Sequence, residues 1–141
     1  MKLRFEESQI TNIASRYIYT REEEHLLKLQ SQIERKCCLT KDQLRLIAKW
    51  KSPRSASHVE KNTHEYIEEV TSIAISAKNE RTRIEVLTNI DGVSWPTASV
   101  ILHFFHKDPY PIMDFRALWS VGLDVPKQYK FSFWWSYVEF C

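Results

Sequence analysis

The stretch from Leu87 to Leu102 reads Leu-Thr-Asn-Ile-Asp-Gly-Val-Ser-Trp-Pro-Thr-Ala-Ser-Val-Ile-Leu, and it holds the residues whose types and spacing best suggest chemistry. Gly92 falls where one helix must reverse into the next, and a residue without Cβ enters positive φ there at little cost. Val93 can tuck into the core, Ser94 can cap the next helix, and Pro96 is tolerated because a first-turn N–H has no intrahelical partner. Such a turn points backbone amides outward at a helix N-terminus. Unpaired donors and the positive end of the helix dipole then both favour an anion, phosphate above all.

A basic segment lies just upstream. Residues 35–61 carry eight basic and two acidic side chains, against five and six in residues 1–34 and seven and ten in residues 62–141. Lys41, Arg45, Lys49, Lys51 and Arg54 form its centre, an asymmetry able to attract a polyanion even though the net charge is only +2. A solvated helix face is the plainer reading of the same charges. Downstream, Asp114 follows Pro109-Tyr110-Pro111-Ile112-Met113 and suits the N-cap of a helix from Phe115 to Val121. His103 and His106 share a helix face without a third ligand, and Cys37, Cys38 and Cys141 are spaced for neither a disulfide framework nor a metal. No metal site is expected.

The elements that must position these residues read as helices. Two glycines, Gly92 and Gly122, are too few for the turns of an all-β fold, so the expected class is all-α, one domain over 1–141. Residues 51–57 read as a loop that could divide lobes 1–51 and 54–141. No apolar run reaches the ~18 to 20 residues that cross a bilayer, and residues 1–7 do not lead into a signal-peptide stretch. The expectation is a cytoplasmic protein.

Thr40 with Gln43 forms a capping-box pattern for a helix over 41–51. Asn62 or Thr63 can cap a second whose core face would be Tyr66, Val70, Ile73, Ala74 and Ala77, Asn79 a third carrying Ile84, Leu87 and Ile90, and Ser94 a fourth. Earlier helices are expected near 5–18 and 21–37. The aromatic stretch 131–141 starts as a buried helix and stops without a cap, as a chain cut short or a tightly packed end would. Residues 129–141 read as helix core or as the surface for a protein partner, rather than as a platform for nucleobases.

Taken together, Ile90-Asp91-Gly92-Val93-Ser94-Trp95-Pro96-Thr97-Ala98 resembles the hairpin of the helix-hairpin-helix DNA glycosylase superfamily, which includes endonuclease III and the adenine glycosylases and has the pattern Leu-Pro-Gly-Val-Gly-x-Lys/Ser-Thr-Ala. The family places an essential aspartate eighteen residues beyond its Lys/Ser position, and Asp114 lies eighteen after Pro96. The match covers roughly residues 80–122, with the hairpin motif at about 80–106. It implies a glycosylase-like helical fold, double-stranded DNA as partner, and base excision from a damaged or mispaired site, with the protein localised on DNA.

By the same resemblance Asp114 would be catalytic, stabilising the charge that develops on deoxyribose or orienting water onto that carbon. Gly92, Val93, Ser94 and Thr97 of the hairpin, with Lys49, Lys51, Arg54 and Arg116, would contact DNA. Trp95, Tyr110, Phe115 and Trp119 are candidates to wedge or stack against an extruded base. Several positions depart from the pattern: Ser94 replaces the second hairpin glycine, and Phe115-Arg116 replace the usual Thr-His after the aspartate. Pro96 stands where bifunctional members carry a Schiff-base lysine, so the implied enzyme is monofunctional, without lyase activity at that residue. The four-cysteine pattern is missing, so no iron–sulfur cluster and no other cofactor is expected. A catalytically inactive DNA-binding module is the alternative, and a helical protein-interaction scaffold the third.

Overall fold

The computed structural model describes residues 1–141, the side chains of 31–36 excepted. Every regular element among the described residues is helical. A 3-10 turn at Glu7–Gln9 leads into α1 (Ile10–Ala14), followed by α2 (Arg21–Lys36) and α3 (Lys41–Lys51). A second 3-10 turn, Ala56–Lys61, precedes α4 (His64–Ser76), α5 (Glu80–Leu87), α6 (Trp95–Phe105), α7 (Phe115–Ser120) and α8 (Phe131–Phe140). No helix of the described residues is long and apolar enough to cross a membrane.

Local chemistry sets most of these boundaries. At α3 the Thr40 hydroxyl accepts from the Gln43 amide (3.3 Å) while the Gln43 side chain accepts from the Thr40 amide (2.8 Å), so two orphan donors are satisfied reciprocally. Thr63 caps α4 and Asn79 caps α5, each accepting from the amide three residues on. Asn62, the other candidate cap, is used elsewhere. Ser94 precedes α6 without capping it: its hydroxyl faces the Thr97 hydroxyl at 3.3 Å rather than a backbone amide.

α6 is the centre of the fold. Thr97 to Leu102, Phe104 and Phe105 are all buried, so this helix is covered nearly all round, with α2, α3 and α5 packed against it. The core runs without a break from Leu26 to Tyr137.

Two expectations from periodicity need correcting. The buried face of α4 is Ile67, Val70, Thr71 and Ala74, whereas Tyr66 and Ile73 are exposed. The stripe is rotated because Thr71 turns inward, its hydroxyl accepting from the Leu39 amide and donating to the Ile67 carbonyl. The helix expected over 5–18 shrinks to a 3-10 turn and five residues of α1 that bury nothing. In α8 Trp134 and Tyr137 face the core, as the core reading of this stretch expects, with Trp134 stacked on Tyr110 at 5.8 Å, while Phe140 is exposed.

α7, only six residues long, is completed by the far end of the chain. The Lys2 amide donates to the Val121 carbonyl (3.0 Å) and the Arg4 amide to that of Ser120 (2.9 Å). The Arg4 guanidinium donates to the Trp119 carbonyl at 2.7 Å and lies over the Trp119 ring, 4.9 Å from its centroid.

Candidate nucleic-acid interface

α5 and α6 are joined by a turn at residues 88–94 in which Gly92 takes φ +90°, the left-handed conformation expected of it. A Cβ at Gly92 would stand 2.9 Å from the Ser55 carbonyl oxygen and 3.0 Å from the Val59 amide nitrogen. The turn thus rests directly on the backbone of the loop after α3. Asn62, buried, fixes it from the same side: its carboxamide donates to the Asp91 carbonyl and accepts from the Asp91 amide, both at 3.0 Å. Val93 is buried as expected, and its amide donates to the Ile90 carbonyl. The amides of Gly92, Ser94 and Trp95 have no acceptor among the described residues.

Asp114 caps α7. Its Oδ1 accepts from the amides of Arg116 and Ala117, both at 2.9 Å, the geometry expected of an N-cap aspartate. Its other oxygen, Oδ2, faces the Lys51 ammonium at 3.4 Å. Asp114 is half-exposed, while the Lys51 side chain is 11% exposed. Burial pulls the Lys51 amine below its ordinary range, opposed by the Asp114 carboxylate. Tyr129 feels the same carboxylate: burial first, then the charge of Asp114, holds its hydroxyl protonated to higher pH.

Two connections hold this carboxylate beside the hairpin. The Ser99 hydroxyl, buried in α6, donates to the Pro96 carbonyl (2.8 Å) and accepts from the Met113 amide (2.9 Å), tying the first turn of α6 to the residue before Asp114. The loop after α3 begins next to Lys51, which reaches Asp114, and supplies the Ser55 and Val59 backbone on which Gly92 rests.

The basic segment divides. Arg45 is paired with Glu60 and Asp42, and Lys41 is buried against the Glu60 and Asn62 carbonyls at 3.0 and 2.7 Å with the Glu60 carboxylate beside it. Lys51 is turned inward onto Asp114, which removes it from the exposed cations of the segment. Lys49 and Arg54 remain exposed, as does Arg116, whose guanidinium lies 5.5 Å from the Phe115 ring centroid. Arg35 and Lys36 lie outside the described side chains.

The aromatic candidates divide as well. Phe115 and Trp119 are well exposed, at 64% and 59%, and with Arg116, Leu123, Asp124 and Val125 they line a cleft of about 330 Å³ beside Asp114 in the chain. Trp95 is partly buried against the core. Tyr110 is interior, its hydroxyl held by Arg83 and Glu80 at 2.6 Å each, because the segment 109–113 packs across α5 and α8 rather than facing solvent. Thr97, placed by pattern among the DNA contacts, is fully buried, since α6 is the central helix. A larger cleft of about 550 Å³ opens between α2 and α3, lined by Arg21, His25, Leu46, Lys49, Trp50 and Pro53 among others; Asp114 lines neither cleft.

Pattern reading missed Asn62, Ser99 and the pairing of Lys51 with Asp114. Asn62 reads as one of two cap candidates for α4, Ser99 as a polar residue in an apolar helix, and Lys51 as one cation among several. Only the polarity of Ser99 inside an otherwise apolar run offered a signal.

Comparison of the chain with protein-family profiles, with curated proteins and with solved structures returns no match.

Proposed function

We propose that this chain is a DNA-binding protein of the glycosylase type, whose α5–α6 hairpin holds duplex backbone phosphate and whose Asp114 assists release of a damaged or mispaired base. The supporting observation is the tie between the two: Ser99 and the loop after α3 connect a partly exposed carboxylate to a turn with three amides that lack an acceptor among the described residues. An oriented carboxylate stabilises the positive charge that develops on deoxyribose as the glycosidic bond breaks, without a metal. Lys49, Arg54 and Arg116 supply sequence-independent attraction to phosphate. Phe115 and Trp119, exposed on the helix that Asp114 caps, are placed to stack against displaced bases. The test is a panel of lesion-bearing duplexes incubated with wild type and Asp114→Asn, abasic sites then being cleaved by alkali. Base release by the wild type and its loss in Asp114→Asn, with DNA affinity equal or higher, is the expected result. Equal release by both proteins would remove Asp114 from the chemistry.

A second reading, a helix-hairpin-helix module that binds DNA without turnover, is favoured by one observation. Asp114 lines neither cleft described here, and both of its oxygens are already engaged by the α7 amides and by Lys51. This reading expects tight duplex binding and no base release from any substrate in the same panel.

A further inference from the structure

We propose that α1 and the cleft between α2 and α3 are the two halves of one contact between copies of this chain: in a reciprocal dimer, the α1 of each molecule lies in the cleft of the other. The inference is independent of the DNA reading. Ile10 and Ile13, three apart on α1, share one face, and Tyr17 continues the helical spacing. These three are 44%, 46% and 59% exposed, Ile18 and Tyr19 beside them are 85% and 56% exposed, and α1 buries none of its side chains. Large apolar side chains gathered this closely in an exposed segment mark a contact surface. Ahead of them stand two carboxylates, Glu6 and Glu7, and residues 5–15 hold no lysine or arginine.

The cleft complements this segment in polarity and charge. Leu26, Leu46, Trp50 and Pro53 line its volume of about 550 Å³. Arg21 and Lys49, both exposed and neither in an ion pair among the described residues, stand at its edge with one carboxylate, Glu22. A helical turn carrying two isoleucines, with two carboxylates before it, meets such a cleft apolar on apolar and acid on base. Its own molecule cannot use it so. At one end the Arg4 amide and guanidinium are bound to the Ser120 and Trp119 carbonyls. At the other, the Tyr17 hydroxyl donates to the Glu23 carboxylate, which also accepts from the Thr20 amide at 2.7 Å, and Glu23 is buried. Held at both ends, α1 is a fixed and outward surface, and the α1 that fills the cleft comes from another molecule. Because Arg21 both begins α2 and lines the cleft, the two patches adjoin along the chain, so that one two-fold axis closes both contacts.

Sedimentation equilibrium of the full chain over a concentration series reads the association, with folding checked by circular dichroism. The wild type is expected in reversible equilibrium between monomer and dimer. Ile13→Asp, on α1, and Leu46→Asp, in the cleft, should each weaken dimerisation at least about tenfold, because each places a charge in an apolar contact. An equimolar mixture of the two variants tests the reciprocal arrangement. A mixed pair keeps one unaltered α1 in one unaltered cleft, so the mixture should dimerise at least about tenfold more tightly than either variant alone. On the wild type itself, a carbodiimide that joins carboxylate to amine should link Glu6 or Glu7 of one molecule to Lys49 of another. Mixing isotope-labelled with unlabelled chains proves that the link is intermolecular, and this readout stands even where a variant fails to fold. A wild type that stays monomeric at every concentration overturns the proposal and leaves the cleft to another occupant. A dimer that neither substitution weakens, a mixture no tighter than its parts, or growth beyond the dimer overturns it as well.

Discussion

The carboxamide of Asn62 is bound to both backbone groups of Asp91, twenty-nine residues away, at 3.0 Å each. It also donates to the Val59 carbonyl at 3.0 Å, so one buried side chain joins the loop after α3, the start of α4 and the hairpin turn. Asn62→Ala strands several polar groups in a partly buried site. Loss of such bonds costs about 2–4 kcal/mol. Chemical denaturation should show this, and Asn62→Asp, which cannot donate to the Asp91 carbonyl, should be no better.

Gly92 combines φ +90° with backbone atoms 2.9 and 3.0 Å from where a Cβ would sit. Neither the carbonyl of Ser55 nor the amide of Val59 can rotate away as a side-chain tip would. Gly92→Ala is expected to lose about 2 kcal/mol or more, and Gly92→Val further still. Weakened duplex binding should accompany it in any fraction that folds, because the loop that yields carries Arg54.

Asp114 has two separable roles. Asp114→Asn keeps an acceptor for the amides of Arg116 and Ala117, whereas Asp114→Ala removes it. N-cap replacement by Ala costs about 1 kcal/mol, so thermal melts should place Asp114→Ala below Asp114→Asn. Base release should be lost in both. A melt that ranks Asn at or below Ala would show that the cap acceptor does not set stability here, since both variants lose the pairing with Lys51.

The division of the basic segment sets the salt response. With three exposed cations, Lys49, Arg54 and Arg116, reaching phosphate, log affinity should fall against log salt with a slope of about −3. Lys49→Ala or Arg54→Ala should reduce that slope by about one each. Arg45→Ala should leave it unchanged, because Glu60 and Asp42 already neutralise Arg45. A titration series on one duplex length checks all three.

His106 gives a pH signature. Its ring is buried, and its Nδ1 accepts from the Asp108 amide at 3.0 Å, which requires that nitrogen unprotonated. Burial, then the nearby Arg83 charge, lowers its proton affinity below the ordinary 6.5. As pH falls below about 6.5 the unfolded chain takes up a proton that the folded chain resists, so stability present at neutral pH is lost in that window. His106→Asn keeps an acceptor without titrating. The stability difference between the two proteins should therefore change between pH 7 and 5 in favour of the variant, and a constant difference would show that His106 does not titrate there.

How much of this was legible depends on the range of the interaction. The caps at Thr40, Thr63, Asn79 and Asp114 are decided by residues within three positions of each other, and pattern finds them. The positive φ at Gly92 was legible for the same reason. The face of α4 was not, because Thr71 turns inward to meet an amide thirty-two residues earlier. Lys51 and Asp114 are separated by sixty-three residues, and nothing in the local spacing of α3 distinguishes Lys51 from Lys49. Tyr110 and Thr97 look like site residues by motif position alone. Their burial follows from α6 being central, a property of the whole assembly.

The strap formed by Lys2 and Arg4 has a bearing on the order of events during synthesis. A six-residue helix is too short to persist by itself, and the carbonyls at its end are met by residues that leave the ribosome more than a hundred positions earlier. The leading segment therefore has no docking place until residues 119–122 have emerged, and Asp114 sits on a helix finished only then.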